Sequence, residues 1–524
     1  MSVGAVYRGG LQLPEPQVHD EFSCLLAADT FAHGRLTNPT HPMWRYLQTF
    51  YVLQTPSYQS KYPPGQGLML AGGMALTGEP IVGVWLATVG LVLAAAWMLS
   101  GFVPRGWAIA GAAVLAVHPQ IVEWSRIYWG GTLAAAGGVL VLGAWVRLDR
   151  AGRAWRWIDA IAMGGGLGIL LNTRPYEGLA AAIPILILLA ARAVRSAPLA
   201  PRSAGGPSPI TCPPPQSGGL TEQKLRSPVP AAAGVLIVLS PLLLWTGYYN
   251  FRVTGNPLRL PYLVYEQQYA AAPPLLVLSP RPVPAGIPPE MREYAEKVEL
   301  PNFEAQRSDR GFFSSVSTKL QYLLGAVIDT PPGSAAAPAA GVVIFAGAVL
   351  IVYAVRRDHR LRIPVAITLA VTGATLLSNW TRSQYVAPAA GAMLLLFVGG
   401  IRELGYRSRL AGRLVIALAF GLFAFHSLAA AGDAGGGSGR ARVVQSLAQE
   451  PGRQLVIVRY VPGYRADVEW VENGADIDSA QTVWARDPGP GLDGPLLAYF
   501  HDRAVWRMSV DRNGARFDSV PPRQ

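Results

Sequence analysis

The sequence predicts an all-α polytopic membrane bundle of about ten transmembrane helices, eleven if a first span precedes residue 1, with a small extracytoplasmic α/β domain at the C-terminus. Three observations predict it. Of 524 residues, 51% are hydrophobic and only 15% charged, too apolar and charge-poor for one soluble domain. Apolar stretches near the length that crosses a ~30 Å hydrocarbon core recur from Pro80 to Ala431. Beyond Ala431 the composition turns abruptly polar.

In chain order, the predicted spans are 81–103, 107–122, 131–147, 155–171, 178–194, 230–250, 338–355, 363–380, 385–401 and 413–432. Arginines crowd three of the connections: Arg147, Arg150, Arg153 and Arg156; Arg356, Arg357, Arg360 and Arg362; Arg402, Arg407, Arg409 and Arg413. By the positive-inside rule these loops are cytoplasmic. The Pro/Ser/Gly-rich linker at about 195–229, with Arg202, Lys224 and Arg226, reads as a disordered cytoplasmic spacer. Counting alternately puts five regions outside: 1–65, 123–130, 172–177, a long loop at about 251–337, and 381–384. The expected domains are therefore an extracytoplasmic first loop (1–65), a transmembrane domain (66–432) and an extracytoplasmic α/β tail (433–524). The tail opens on the Gly-rich run 435–439, and its short apolar runs 455–460 and 482–485 lie between Gly, Asp and Pro.

The formal charge of +12 does not point to nucleic acid, because the cations lie between apolar spans and form no basic stripe interleaved with aromatics. Cys24 and Cys212 fall on opposite sides of this topology, which excludes a disulfide between them. Residues 1–19 lack a signal-peptide core. The first outer loop thus has no span before it, and its translocation requires either N-out insertion or a helix upstream; a start site further upstream is the expectation.

Polar motifs concentrate in the outer regions. The first loop carries His19-Asp20-Glu21-Phe22 and, at its end, Lys61-Tyr62-Pro63-Pro64-Gly65. A carboxylate shielded by apolar walls can take a proton from an attacking hydroxyl, which makes Asp20 a general-base candidate. The alternative for Asp20 and Glu21 is a solvated helix N-terminus, and for the prolines a stiffened lead into a helix. Lys61 either binds phosphate or snorkels. Three outer turns each set an arginine among aromatics at a helix end: Glu123 to Gly131 with Arg126, Tyr128 and Trp129; Asn172 to Gly178 with Arg174, Tyr176 and Glu177; and Trp380 to Tyr385 with Arg382 and Gln384. Arginine pairs bidentately with phosphate and aromatic rings stack on sugars, so the set fits a phosphorylated, lipid-linked carbohydrate. It fits an ordinary aromatic belt as well. His19, Asp20, Glu21, His33 and His41 offer metal-ligand types, but their spacing matches no dedicated motif. Walker-type loops and GxSxG, HExxH and CxxC elements are absent from the sequence.

The HDEF segment, the Lys-Tyr-Pro-Pro-Gly run, the Tyr-Trp-Gly-Gly turn and the Thr-Arg-Pro-Tyr-Glu-Gly turn together resemble bacterial GT-C glycosyltransferases, specifically the family 39-like, protein mannosyltransferase-like proteins that use polyprenyl-phosphate sugars. The resemblance covers most of 19–432. It implies sugar transfer from a polyprenyl-phosphate carrier to an extracytoplasmic acceptor, on the outer face of the cytoplasmic membrane. By it, Asp20 takes the essential acidic position with Glu21 beside it. Lys61, Arg126 and Arg174 would grip the carrier phosphate, while Tyr62, Tyr128, Trp129, Tyr176, Glu177, Gln384 and Tyr385 would line the sugar and acceptor site. The sequence departs from the family where Gln384 replaces an expected histidine before Tyr385. The tail, with Trp470, Asn473, Asp476 and Asp478 in one loop, looks like an outer domain that binds acceptor or caps the bundle.

The implied partners are membrane lipid, a polyprenyl-phosphate-linked sugar and an extracytoplasmic acceptor, with no nucleic acid. No cofactor is implied, and a divalent metal is left open because basic side chains can replace a cation at a phosphate. Rival functions are a transporter or flippase of lipid-linked saccharides and a glycan ligase. A transporter would place ionisable residues near the bilayer midplane, and the predicted spans are nearly free of them.

Overall fold

The computed structural model describes residues 13–148, 157–196, 229–328, 337–432, 439–464 and 469–519. Arg150, Arg153, Arg156, Cys212, most of the predicted linker and most of the Gly-rich run lie outside them. Two short helices come first, α1 (His19–Ala32) and α2 (Pro64–Thr77). Between them, β1 (Val52–Leu53) and β2 (Gln59–Ser60) form an antiparallel ribbon.

The bundle follows with α3 (Ile81–Ser100), α4 (Arg105–Val117), α5 (Pro119–Trp124), α6 (Thr132–Leu148), α7 (Trp157–Thr173), α8 (Pro175–Ser196) and α9 (Val229–Thr254). The predicted outer loop is helical, with α10 (Pro261–Tyr269), α11 (Pro289–Tyr294), α12 (Leu300–Arg307) and α13 (Asp309–Ile328). The bundle resumes with α14 (Ala337–Arg357), α15 (Arg362–Leu377), α16 (Ala390–Arg407) and α17 (Arg409–Gly432).

Each of the ten predicted spans coincides with a helix or an abutting helix pair. Among the described residues, five helical stretches are long and apolar enough to cross a membrane: 81–100, 233–254, 359–377, 383–407 and 409–429. The helices 105–117, 132–148 and 175–191 are apolar but shorter. Burial separates the roles within the bundle. The stretch holding α16 is 78% buried among other helices, while that of α17 is 11% buried and exposes Leu410, Leu414, Leu418, Phe425 and Leu428. An apolar helix with so bare a face has lipid as its natural neighbour.

The predicted alternation appears as geometry. At one end of the bundle, Arg147 donates to the Trp97 carbonyl (2.5 Å) and Ser100 Oγ (2.9 Å) at the C-terminus of α3, where a cation also meets the negative end of the helix dipole. There too, Arg360 faces the Phe102 ring and Arg357 pairs with Glu403 at 2.9 Å. The predicted outer turns gather at the other end.

The tail comprises α18 (Gly439–Gln449), β3 (Gln454–Tyr460), β4 (Thr482–Arg486), α19 (Gly494–Tyr499), β5 (Ala504–Asp511) and β6 (Gly514–Ser519). Its sheet has the order β4-β3-β5-β6; β3 runs parallel to both neighbours, and β5–β6 is an antiparallel hairpin. A central parallel strand buried on both faces reads as continuous apolar sequence, hence Leu455-Val456-Ile457-Val458. Leu455 and Ile457 pack with Leu26, Leu47, Val52 and Tyr58 of the first loop. Val456 and Val458 pack with Leu447, Trp470 and Trp484. The tail therefore shares a hydrophobic core with residues 26–58.

Candidate functional site

Around one cavity of about 800 Å³ the structure gathers the first turn of α1, the start of α2, the α7–α8 junction, α10, α11 and the segment 378–385. Backbone economy brings two of these walls together. A Cβ on Gly65 would stand 2.5 Å from the Asn172 carbonyl oxygen, so only glycine lets the Lys61-Tyr-Pro-Pro segment lie against the Asn172-Thr-Arg174 turn. Gly131, at φ +144, takes a backbone conformation that L side chains rarely adopt, and a Cβ there would strike the Trp124 ring at 2.6 Å.

Of the twelve predicted site residues, nine line the cavity: Asp20, Lys61, Tyr62, Trp129, Arg174, Tyr176, Glu177, Gln384 and Tyr385. Asp20 has a side chain 14% exposed, accepts a hydrogen bond from the Tyr62 hydroxyl, and lies 3.7 Å from His19 Nε2. The His19 ring is itself fixed, stacked on Phe50 at 5.2 Å and edge-on to Tyr51 at 4.4 Å. Tyr51 holds φ at +62°, an uncommon conformation for a bulky residue. Arg174 lies over the Tyr385 ring at 4.9 Å, within the electrostatic field of Glu177, Tyr62 and Asp20. No acceptor hydrogen-bonds its guanidinium among the described residues, and Glu177 is the charge that acts on it most strongly. Exposed Arg382 lines the same space. Tyr176 donates its hydroxyl to the Ala374 carbonyl at 3.2 Å, and Gln384 is buried beside Ser383.

The other predicted residues are placed differently. Glu21 points away from the cavity into the protein, where it accepts backbone N–H bonds from Gln17 (2.7 Å), Val18 (3.2 Å) and Tyr128 (3.0 Å). It is the N3 residue of α1 reaching back to the N-cap, and it also anchors the Tyr128 turn. Burial pushes its carboxyl above the ordinary 4.5, while the backbone donors and neighbouring Asp20 act on it more weakly. Tyr128 is structural in the same way: its hydroxyl donates to the Pro14 carbonyl (2.6 Å), and its own carbonyl accepts from Gln66 (2.8 Å). Arg126 does not line the cavity.

Lys61 lines the cavity, but its charge is committed. Its Nζ lies 3.2 Å from Glu266 Oε1 and within 3.8 Å of the Tyr51 ring, 4.6 Å of both Tyr262 and Tyr265, and 5.6 Å of Tyr62. The metal grouping disperses too. His33 faces Asp29 and Asp476, and His41 faces Asp478 at 3.1 Å. No three His, Cys, Asp or Glu side chains converge into a metal site among the described residues.

Several lining residues escaped the sequence reading: Tyr51, Tyr262, Tyr265, Glu266, Tyr269, Tyr294 and Glu299. A signal existed for three of them, since tyrosines at 262, 265 and 269 fall on one helical face at i, i+3 and i+7. None existed for Glu266, whose partner Lys61 is 205 residues away. Burial, reinforced by the Glu266 charge, pushes Glu299 from the ordinary 4.5 up to about 7.

Fold and site together define an integral membrane protein with a charged, tyrosine-rich cavity at one end of its helices. No family model matches the chain, and no curated protein does. Among solved structures it is similar to ArnT from Cupriavidus metallidurans in the apo state, with 13% identity and a TM-score of 0.42 over 83% of this chain and 64% of that one. ArnT bound to undecaprenyl phosphate gives 14%, 0.41, 83% and 64%. Archaeal oligosaccharyltransferase AglB from Archaeoglobus fulgidus, in complex with an inhibitory peptide and a dolichol-phosphate, gives 12% identity and a TM-score of 0.45 over 96% of this chain and 66% of that one. The chain spans less than two thirds of the length of these structures.

Proposed function

We propose that this protein is an inverting glycosyltransferase of the cytoplasmic membrane, moving a sugar from a polyprenyl-phosphate carrier to an acceptor on the extracytoplasmic side. The observation that carries the reading is the pairing, within one cavity at the bundle end, of a shielded carboxylate, Asp20, with an arginine, Arg174, whose donors no described residue occupies.

The acceptor hydroxyl gives its proton to an Asp20 oxygen as the hydroxyl oxygen attacks the anomeric carbon. The bond from that carbon to the phosphate oxygen breaks, and its electron pair leaves with the lipid phosphate. Arg174, with Arg382 nearby, stabilises the leaving charge. A single displacement inverts the anomeric centre. Tyr62 and His19 hold the Asp20 carboxylate in place.

The test is transfer from a panel of polyprenyl-phosphate sugars by purified protein in liposomes. Asp20→Asn is expected to lower turnover about 10²–10⁴-fold and Arg174→Ala about 10²–10³-fold, by loss of electrostatic stabilisation. If no donor is consumed while lipid-linked sugar crosses the bilayer, the protein is a transporter and Asp20 a helix cap. Reporter fusions in the loop at 356–362 test the sidedness, which fails if that loop lies outside.

A further inference from the structure

Arg174 and Arg382 line the cavity together with the carboxyl groups of Asp20 and Glu177. A further lobe of its wall, contributed by α10, α11 and the residues that follow α11, is left unused by the reaction as written. There Tyr262 and Tyr294 present half-buried rings, Tyr265 and Tyr269, stacked on each other at 4.8 Å with an interplanar angle of 24°, are nearly buried in the core that backs the lobe, and Glu266 and Glu299 supply carboxylates. Glu266 neutralises Lys61, so the lobe offers an anion no unpaired cation. Glu299 is held only by backbone N–H groups of Ala271 and Ala272 among the described residues, and a carboxylate has acceptor capacity for about four donors.

We propose that this lobe is a saccharide subsite and that the acceptor is itself a neutral glycan, with a sugar ring stacked on the tyrosines and its hydroxyls donating to Glu299. Flat aromatic faces beside a carboxylate acceptor match the C–H face and O–H rim of a pyranose. A peptide acceptor would need partners for its backbone, and no strand edge borders the lobe among the described residues. An anionic headgroup would find no free cation in the lobe, because Lys61 is paired with Glu266. The inference rests on the glycosyl-transfer reading of the cavity.

It is tested with full-length protein in liposomes, measuring binding of α-mannohexaose, maltohexaose and xylohexaose against a Ser/Thr-rich decapeptide by saturation-transfer difference NMR. Consumption of the polyprenyl-phosphate sugar panel by wild type is measured in the same preparation. At least one hexasaccharide is expected to bind, and Glu299→Gln and Tyr262→Ala should each weaken it about tenfold, with folding verified by thermal unfolding. Binding of the decapeptide alone, or hexasaccharide affinity within about twofold of wild type in both variants, overturns the subsite. Donor consumption with no saccharide bound overturns the subsite and leaves the transferase reading standing. Neither consumption nor binding overturns both.

Discussion

Asp20 and Glu21 are adjacent in sequence and opposite in environment. Asp20 faces the cavity and takes a single side-chain hydrogen bond from Tyr62, whereas Glu21 turns inward onto three backbone N–H groups. Glu21→Gln replaces one accepting oxygen with an amide NH₂ that confronts N–H donors, and is expected to lower stability by about 1–3 kcal/mol. Asp20→Asn keeps an oxygen for Tyr62, and should leave stability within about 0.5 kcal/mol while removing the base. Thermal unfolding of the two variants side by side separates structural from chemical carboxylate; equal losses would contradict the assignment. Composition offered no means of telling the two apart, because the helix phase that sends one side chain inward is set by what α1 packs against.

At the scale of elements, ten predicted spans each fall on helix because hydropathy is a local property that survives any arrangement of neighbours. The helix starts near Asp20 and after the Pro63-Pro64 run were legible as α1 and α2, whereas α10 to α13 lie in what reads as a long loop. The first three of these are short, with 9, 6 and 8 residues, and α12 buries only Phe303 and Gln306, so no window there accumulates the apolarity that marks a span. The contact of α2 with the end of α7 is the element-level feature on which the site depends. Gly65→Ala would push a methyl group to 2.5 Å from the Asn172 oxygen, and the backbone must give way. The expected loss is about 1–3 kcal/mol, accompanied by reduced donor turnover because Tyr62 and Arg174 move apart. Wild-type stability and turnover in this variant would show that the two walls are not locked.

Across the whole molecule, Arg486 ties three distant segments together. Its guanidinium pairs with Glu469 at 2.6 Å and Glu290 at 3.5 Å, and donates to the Gln48 carbonyl at 2.6 Å. Burial pushes the Glu469 carboxyl up most strongly, but Arg486, the Tyr460 hydroxyl and the Val471 N–H together outweigh it and hold the group below its usual range. Arg486→Ala leaves a buried carboxylate without its cation, which costs about 3–5 kcal/mol. The expected readout is faster hydrogen exchange in β3, β4 and the first loop together, since they share one core. Exchange confined to the tail would mean that the two regions are independent.

The sequence by itself determined where the apolar helices run, that basic loops and aromatic-arginine turns alternate between their ends, and that the tail contains strands near 455–460 and 482–485. These are properties of short windows, fixed by the solvent each residue prefers. Only the tertiary structure decided that Lys61 belongs to Glu266, that Glu21 clasps a turn, and that tyrosines from α10 and α11 complete the cavity. Such pairings depend on which elements the chain path brings within a few ångströms. Burial then makes each polar group's partner obligatory, so neighbours distant in sequence, not the residue types alone, assign the roles.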